Sequence, residues 1–467
     1  MEFISTRGKD GPISFETALL NGLARDGGLY LPVSWPRFNL DEIRQMRDLS
    51  YSDLAGLIMS RFTDGEIDQV EMTSLARQSY ADFTHPDVAP LRPVAENIHI
   101  LELFHGPTIA FKDYAMQFLS RVFDRALTRQ NRTAVILGAT SGDTGSAALE
   151  AFKGRDSVDV FILFPNGRVS PVQQKQMTSI SAKGAHAVAV SGDFDDCQDM
   201  VKACFNDVVF RDEMNLSAVN SINWARLMPQ IVYYFASALK VGAPEQTVAF
   251  CVPTGNFGNV FAGWVAAKMG LPVEKFIVAS NRNDILTRFF ATGTMQRRSV
   301  DPSLSPSMDI QVSSNFERLL FELLDRDGVE VARLMKRFAK SGSFDVAENV
   351  LRSALSLFSG FCLNDDGTRA EIRSTYQQTG MVIDPHSAVG LAGARQARAS
   401  GLVSQDTPII SLACAHPAKF PDAVQSACGI YPGLPEHLAN LMQRDDAMLT
   451  AENDMEAVQA LLRAERR

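Results

Sequence analysis

The spacing of apolar residues changes from helical to strand-like about 95 residues along the chain. In the first part, apolar positions recur at the three- and four-residue intervals of amphipathic helices. The predicted helices cover Ser14–Leu23, Leu40–Met59 and Gly65–Tyr80. Prolines at positions 86, 90 and 93 then mark a boundary. We therefore expect a mostly helical N-terminal domain over residues 1–95.

Beyond that boundary, short apolar runs alternate with helical periods. The apolar runs predict strands over Ile98–Phe104, Ala134–Leu137, Val158–Leu163, Ala187–Val190, Val248–Val252, Phe276–Ala279 and Ile409–Ala413. Helical periods cover Thr144–Phe152, Pro171–Met177 and Asn259–Met269. This alternation predicts parallel βαβ units and an α/β fold, in which ligands bind beyond the carboxyl ends of strands. We expect α/β domains over residues 96–235 and 236–430, and a helical tail over 431–467.

Two glycine-rich loops stand between a predicted strand and a predicted helix. Ala139–Ser146 and Thr254–Asn259 consist mostly of small residues, so their backbone N–H groups can converge on an anion. The first loop lacks the lysine of a Walker loop and the GxGxxG spacing, and it could also be a simple turn capped by Asp143 or Thr144. The second lies inside the uncharged stretch Gln246–Ala267. That position favours a site, because buried backbone donors need partners.

Two other loops carry lysines. Phe104–Tyr114 places Lys112 among apolar and small residues, where desolvation would lower its pKa and free a nucleophilic amine. The alternative is a lysine whose ammonium reaches water beside Asp113. Ser411–Phe420 follows the last predicted strand. Its polar residues have ordinary interpretations too, as a buried thiol, a turn cap and a surface charge: Cys414, His416 and Lys419.

Three further segments are polar within apolar surroundings. They cover Asn220–Arg226, Ser280–Asp284 and Ser313–Arg318. Each could supply ligand contacts, and each could instead be a capped start of a helix.

Composition mainly excludes classes of protein. The 45 Lys and Arg against 54 Asp and Glu give a net charge of −9, which argues against a duplex nucleic-acid binder. The six cysteines are sparse and contain no CxxC pair, so neither a disulfide framework nor a structural zinc site is expected. The N-terminus lacks the apolar core of a signal peptide, and Pro253 interrupts the only stretch long enough to span a membrane. We expect a cytoplasmic protein without a metal site or a membrane segment.

Taken together, these segments resemble the threonine synthases, which are fold-type II pyridoxal-phosphate-dependent enzymes of the tryptophan synthase β-like fold. The resemblance rests on several motifs in the same order: STRG at Ser5–Gly8, RDGGLYLP at Arg25–Pro32, FHGPTIAFKD, GATSGDTGSAA, NSINWARLMPQ, PTGNFGN, SSNFERLL and CAHPAKF. It covers nearly the whole chain and matches the longer bacterial and fungal form, which has an N-terminal helical domain. It implies parallel sheets flanked by helices.

The resemblance also implies roles for individual residues. Lys112 would form the Schiff base with pyridoxal 5'-phosphate, Asp143 would lie near the ring hydroxyl, and Cys414 would face the pyridine nitrogen. The cofactor phosphate would be held by backbone amides of Gly255, Asn256, Phe257, Gly258 and Asn259. The substrate would be bound by Thr140, Ser141, Gly142, Asp143, Thr144, Asn223, Arg226 and Lys419, with Arg282 as a further candidate cation.

The reaction implied by the resemblance converts O-phospho-L-homoserine and water to L-threonine and phosphate. A related fold-type II lyase that degrades phosphohomoserine to 2-oxobutyrate would keep the same lysine and phosphate loop. A non-catalytic protein that retains the fold is the alternative from another class. The sequence leaves the oligomeric state open.

Overall fold

Strands and helices alternate along most of the chain, as the pattern predicts. The computed structural model describes residues 1–218 and 220–467. Its strands are β1 (Phe3–Ser5), β2 (Tyr30–Pro32), β3 (Leu91–Ala95), β4 (Ile98–Glu102), β5 (Ala134–Ala139), β6 (Val158–Pro165), β7 (Ala185–Val190), β8 (Leu216–Ser217), β9 (Val248–Pro253), β10 (Val273–Ser280), β11 (Thr294–Gln296), β12 (Ser343–Asp345), β13 (Phe358–Cys362), β14 (Ile409–Ala413) and β15 (Met448–Ala451).

The helices complete the architecture. They are α1 (Phe15–Asn21), α2 (Leu40–Gln45), α3 (Tyr51–Ser60), α4 (Gln69–Tyr80), α5 (Lys112–Arg129), α6 (Asp143–Phe152), α7 (Pro171–Thr178), α8 (Phe194–Asn206), α9 (Val208–Met214), α10 (Trp224–Lys240), α11 (Gly258–Lys268), α12 (Ile285–Thr292), α13 (Phe316–Leu323), α14 (Gly328–Ser341), α15 (Glu348–Leu357), α16 (Asp365–Thr379), α17 (Pro385–Ala399), α18 (Pro421–Cys428) and α19 (Met455–Glu465).

The N-terminal helices begin after side chains that cap them. Ser14, Asn39, Ser50 and Asp68 accept hydrogen bonds from first-turn N–H groups of α1, α2, α3 and α4. The single helix predicted over Leu40–Met59 is two helices, because Ser50 caps a new one. The sequence pattern also missed β1 and β2, which pair antiparallel. Strands of three residues are too short to show a clear alternation.

A six-stranded sheet has the strand order β13-β10-β9-β14-β4-β3. Its neighbours are parallel except for β3, which runs antiparallel to β4. Strands β9 and β14 are buried at every position, as is typical of strands covered on both faces. Because β4, β9 and β14 are parallel, their carboxyl ends share one edge of the sheet. The loops with Lys112, Gly255–Asn259 and Cys414 all leave from that edge.

A five-stranded parallel sheet has the order β15-β7-β6-β5-β8. Its central strand β6 is buried along its whole length. At the carboxyl end of β5 the chain enters the Thr140–Thr144 loop and then α6.

The sheets combine strands from different parts of the predicted domain ranges. Strands β3 and β4 precede the five-stranded sheet in the chain but pair within the six-stranded one. The tail predicted as helical over residues 431–467 is only partly so, because it contains β15, which pairs with β7. Apolar residues of β15 and α19 together cover the core of the five-stranded sheet, which explains the strand. The domain limits at 96–235 and 236–430 stay predictions.

The N-terminal helices pack directly on the α/β body. Phe83 lies edge-on to Tyr114 of α5, with 4.8 Å between ring centroids. Trp224, at the start of α10, lies 5.4 Å from Phe62 and 5.8 Å from Phe3. These rings belong to one continuous core with residues of both large sheets. The N-terminal segment therefore shares its core with the α/β part of the chain.

The uncharged stretch Gln246–Ala267 forms β9, a loop and α11, as the proline at 253 predicts. Of the helices in the described parts of the chain, none has both the length and the hydropathy needed to cross a bilayer.

Candidate active site

Backbone hydrogen bonds join the loop after β4 to the loop after β14. The N–H of Leu103 donates to the carbonyl of Ala413 over 2.9 Å, and the N–H of Phe111 donates to that of Cys414 over 2.8 Å. The N–H of His416 returns a bond of 3.0 Å to the carbonyl of Ile109. The start of α5 is thereby fixed against the end of the sheet.

Lys112 is the first residue of α5 and lies largely buried, with 15% of its side chain exposed. Its Nζ is 3.6 Å from Oδ2 of Asp143. Burial lowers the pKa of Lys112; Asp143 opposes this shift, while the positive charges of Lys419 and Arg226 add to it. A lysine in this setting reaches its neutral, nucleophilic form more easily than one in water.

Asp113 does not pair with Lys112, contrary to the alternative interpretation of that lysine. Its buried carboxylate accepts bonds from the N–H of Thr108 over 2.9 Å and from the hydroxyl of Thr108 over 2.6 Å. The carboxylate therefore holds the loop that precedes Lys112, and the lysine is left facing Asp143.

Asp143 is the anionic centre of the cluster. Its Oδ1 lies 2.8 Å from Nζ of Lys419 and accepts a bond of 2.7 Å from Nε2 of Gln173. Burial alone would raise the pKa of Asp143, but the ammonium groups of Lys419 and Lys112 hold it below its ordinary value. The carboxylate therefore stays ionised at neutral pH and orients both lysines.

Lys419 is fully buried, which is rare for a lysine without a partner. Besides contacting Asp143, its Nζ donates to the carbonyl oxygen of Thr108 over 2.9 Å. Its position follows from the short 3-10 helix Pro417–Lys419, which starts after His416. The expectation of a solvated surface charge is therefore wrong, and the expectation of a site residue remains.

The loop after β5 is shaped by Thr140 and Gly142. The hydroxyl of Thr140 accepts bonds from the N–H groups of Gly142 and Gly145, over 3.0 and 2.9 Å. Gly142 has φ of 147° and lies against Gln173, so that a Cβ would come within 2.5 Å of that side chain. Only glycine fits this position. Ser141 is exposed at the turn and can meet a ligand.

The loop after β9 ends at an uncapped helix. Phe257 adopts a left-handed conformation, with φ of 62°, and α11 begins at Gly258 with no side-chain cap from any described residue. The loop carbonyls are occupied, since Gly255 accepts from Oγ of Ser313 over 2.7 Å and Asn256 accepts from the N–H of Asn315 over 3.0 Å. The N–H groups of a helix start have no partner within the helix, so they are available to an anion.

Asn259 lies in the first turn of α11 and contributes an unsatisfied donor. Its Oδ1 accepts bonds from the hydroxyls of Tyr233 and Tyr234, over 2.7 and 2.8 Å. Its buried Nδ2 has no hydrogen-bond partner among the described residues. A buried amide donor of this kind calls for a ligand acceptor.

Of the remaining predicted residues, Arg226 and Cys414 are buried and act on Lys112, whereas the side chains of Asn223 and Arg282 have other partners. Arg226 on α10 is buried, burial lowers its pKa to about 10, and its charge acts on Lys112. Cys414 is buried, and burial raises the pKa of its thiol, which stays neutral. Asn223 uses its amide to cap α10 and to reach the carbonyl of Leu19 over 2.8 Å. Arg282 pairs with Asp365 over 2.5 Å and is partly exposed, outside the lysine cluster.

Several residues of the cluster had no clear signal in the sequence. Gln173 lies in a segment assigned only as helical, and Thr108 contributes chiefly through its backbone carbonyl. Ser313 and Asn315 lie in a polar segment that the sequence marked as a possible contact, although nothing there indicated that they would hold the Gly255–Asn259 loop.

The site fits pyridoxal 5'-phosphate by the chemistry of its donors. A nucleophilic lysine can hold the cofactor carbonyl, the uncapped start of α11 can hold its phosphate, and the Asn259 amide lacks an acceptor. A protein-family model described as "Pyridoxal-phosphate dependent enzyme" matches residues 89–349, which include these groups. The chain is thus a pyridoxal-phosphate-dependent enzyme of fold-type II, as the resemblance implies.

Two further family models flank this match. "Threonine synthase N terminus" matches residues 2–80 and "Threonine synthase, C-terminal" matches residues 387–462. The threonine synthase of Pseudomonas aeruginosa is 49% identical over 463 residues, covering 99% of this chain and 98% of that protein. The chain belongs to the threonine synthase family.

Solved structures agree with this assignment. The pyridoxal-phosphate-bound threonine synthase from Brucella melitensis superimposes with a TM-score of 0.98 at 51% identity, covering 100% of both chains. The threonine synthase from yeast gives a TM-score of 0.94 at 38% identity, covering 99% of this chain and 98% of that one. The predicted fold class, cofactor and threonine synthase activity are confirmed. The roles of individual residues stay predictions.

Proposed function

We propose that this chain forms L-threonine and phosphate from O-phospho-L-homoserine and water, with Lys112 as the central catalytic residue. The observation that carries the proposal is the ion pairing of both Lys112 and Lys419 with Asp143, near the uncapped start of α11. The cofactor requires one pocket that binds an anion and one nucleophilic amine, and the lysine cluster adds cations for a second anion.

Lys112 has two tasks in this proposal. When bound, the cofactor withdraws electrons from the substrate carbons and so acidifies their protons. Lys112 first holds the cofactor through Nζ. Once the substrate amine displaces it, the same Nζ would take a proton from the α-carbon, and it would have to release that proton before taking one from the β-carbon. In the net reaction one proton returns to the α-carbon and one is added at the γ-carbon, from which phosphate leaves. Its lowered pKa supports the second task, because only a neutral amine can accept a proton.

The substrate brings a carboxylate and a phosphate, and each needs donors. We assign one anion to the backbone and hydroxyl groups of the Thr140–Thr144 loop, whose turn is fixed by glycine. We assign the other to Arg226 and Lys419, both buried near Lys112. Lys419 uses two of its three N–H donors on Asp143 and Thr108 and keeps one for a ligand. Asn223 and Arg282 rank lower, because both ends of the Asn223 amide already have partners and Arg282 forms a partly exposed ion pair.

Asp143 would bind the hydroxyl of the cofactor ring, and Cys414 would influence the protonation of its nitrogen on the other side. The ionised carboxylate of Asp143 is suited to accept a bond from the ring hydroxyl, and it keeps both lysines in place. The thiol of Cys414 stays neutral because burial raises its pKa. A neutral, weakly bonding partner leaves the ring nitrogen largely unprotonated.

The decisive experiment supplies O-phospho-L-homoserine to the purified, cofactor-loaded protein and measures threonine and 2-oxobutyrate together. We expect threonine and phosphate in equal amounts, with little oxo acid. Mostly 2-oxobutyrate would indicate the related lyase instead. Absence of the visible absorbance of bound cofactor, even after pyridoxal phosphate is added, would indicate a non-catalytic protein.

The Gly258→Val variant tests the phosphate loop. A Cβ at Gly258 would lie 3.2 Å from Nδ2 of Asn315, so Asn315 must give way, and the loop that it holds through the Asn256 carbonyl should shift with it. Losing one charge-assisted bond should weaken cofactor affinity by at least about tenfold, measured by absorbance titration. Gly433 has no heavy atom within 4 Å of its Cβ position, so Gly433→Val is the matched control. Equal affinities in the two variants would contradict this role of the loop.

We also propose that the protein works in the cytoplasm. All six cysteines are free thiols in the structure, including the pairs nearest in sequence. Free thiols are typical of reducing compartments.

A further inference from the structure

Two N-terminal motifs that have no part in the chemistry contact the helix behind the cofactor loop. The hydroxyl of Thr6 donates to Oε1 of Glu317 over 2.6 Å. Arg7 forms a two-pronged ion pair with the same carboxylate, with both N···O distances 3.0 Å. Glu317 lies in the first turn of α13. The Ser5–Gly8 motif therefore anchors the start of α13.

The next residue, Arg318, binds the second N-terminal motif. Its side chain is fully buried, and its Nε and Nη2 donate to the carbonyl of Tyr30 over 3.0 and 2.8 Å. Nη2 also donates to the carbonyl of Ile222 over 2.6 Å, and Nη1 binds Oδ1 of Asn315. One guanidinium thus joins β2, the loop before α10, and the loop before α13.

Asn315 carries this connection to the cofactor site. Its backbone N–H donates to the carbonyl of Asn256 over 3.0 Å, and its Nδ2 donates to the carbonyl of Ser221 over 3.2 Å. The first contact fixes the orientation of a peptide group in the Gly255–Asn259 loop. The second holds the segment that leads into α10, which carries Arg226.

The contacts of Arg318 indicate that it holds segments in position and does not stabilise the fold through its charge. Burial is unfavourable for its charge and lowers its pKa to about 9, and its acceptors include two backbone carbonyls and an amide oxygen. A hydrophobic side chain of similar size would avoid the desolvation penalty. Only a planar fork with several donors, however, can hold three separate segments in one arrangement.

We propose that Arg318 is a positioning residue that sets the cofactor loop and the start of α10 relative to each other, with the N-terminal segment as its anchor. The proposal rests on the assignment of the Gly255–Asn259 loop to the cofactor phosphate. It gives the Ser5–Gly8 and Arg25–Pro32 motifs a function in cofactor affinity and substrate binding, without direct contact to either ligand.

The test compares Arg318→Lys with wild type in the full-length protein. Lysine keeps the charge but loses the fork, so Asn315 and the Asn256 peptide should shift. We expect the dissociation constant for pyridoxal phosphate to rise by about tenfold, and the KM for O-phosphohomoserine to rise as well. The kcat at saturating cofactor should change much less, because Lys112 and Asp143 are untouched.

Arg326→Met is the matched control. Arg326 also lies next to α13 and binds the N-terminal segment, through the carbonyls of Pro32 and Val33. It has no contact with Asn315 among those seen for the described residues. This variant should lower the melting temperature and leave cofactor affinity and KM unchanged.

Thr6→Val is the second test variant. It loosens the contact between the N-terminal segment and α13 with little change in shape, so it keeps the proposal testable if Arg318→Lys does not fold.

Two results would overturn the proposal. One is a lowered melting temperature with wild-type cofactor affinity and KM in Arg318→Lys, or in Thr6→Val where Arg318→Lys does not fold. The other is an equal loss of affinity in Arg326→Met, which would mean general loosening. Failure of the proposed function looks different, because the wild-type protein itself would then bind no cofactor or make no threonine.

Discussion

The Lys112→Ala variant is expected to lose threonine formation by at least about a thousandfold, because one substitution removes both the cofactor anchor and the general base. Its visible cofactor absorbance should shift to that of unattached pyridoxal phosphate. The fold should remain, since Asp143 keeps Lys419 at 2.8 Å and Gln173 at 2.7 Å as partners. Initial rates with O-phosphohomoserine, absorbance spectra and circular dichroism measure these three outcomes.

Lys275→Ala provides the control for this experiment. Lys275 is also a lysine whose pKa is lowered by burial, but it lies on β10 and donates to the carbonyls of Leu355 and Ser356. Its removal should leave turnover intact. Turnover by Lys112→Ala above about a hundredth of the wild-type rate would show that another group supplies the base, since a general base accounts for more than that.

The sequence was most informative where a single local motif determines both geometry and chemistry. Lys112 follows the predicted strand Ile98–Phe104, which is present as β4, and the structure places it at the first residue of α5. The two glycine loops were placed in the same way, since strand, turn and helix signals are local. Gly142 shows the limit of that information. The sequence indicates a turn there, but the need for glycine comes from Gln173, 31 residues further along the chain.

The residues that surround Lys112 could not be placed from the sequence, because their contacts depend on the packing of separate elements. The neighbouring strands β14 and β4 bring Lys419 to the carbonyl of Thr108, but Asp143 follows β5 of the other sheet, so its contact with Lys419 depends on how the two sheets pack together. Asn223 has the same local pattern as a ligand residue, yet its amide caps α10 and binds Leu19. A sequence motif thus identifies a candidate ligand-binding residue, but whether its side chain is available to a ligand depends on the residues that pack against it in the folded protein.

The Lys419→Met variant should show that the buried ion pair controls the lysine base. Removing the cation 2.8 Å from Asp143 leaves that carboxylate with Lys112 as its remaining ammonium partner in the cluster. The positive charge of Lys419 helps to keep the pKa of Lys112 low, so its loss raises that pKa. Because the neutral amine is the active form, the acidic limb of the kcat profile should move to higher pH. We expect kcat at neutral pH to fall about a hundredfold, as for loss of one preorganised charge.

Stability measurements separate this effect from simple unfolding. Breaking a buried pair from one side should lower the free energy of unfolding by about 3 kcal/mol. Lys175→Met is the control, because Lys175 pairs over 3.0 Å with the half-exposed Asp446 and should cost less than about 1 kcal/mol. Adding Asp143→Asn to Lys419→Met should recover part of the stability and none of the activity. An unshifted pH profile in Lys419→Met, with activity lost only in proportion to unfolded protein, would reduce Lys419 to a structural ion pair. A shifted profile in a folded protein would instead make the ion pair part of the machinery that keeps Lys112 neutral.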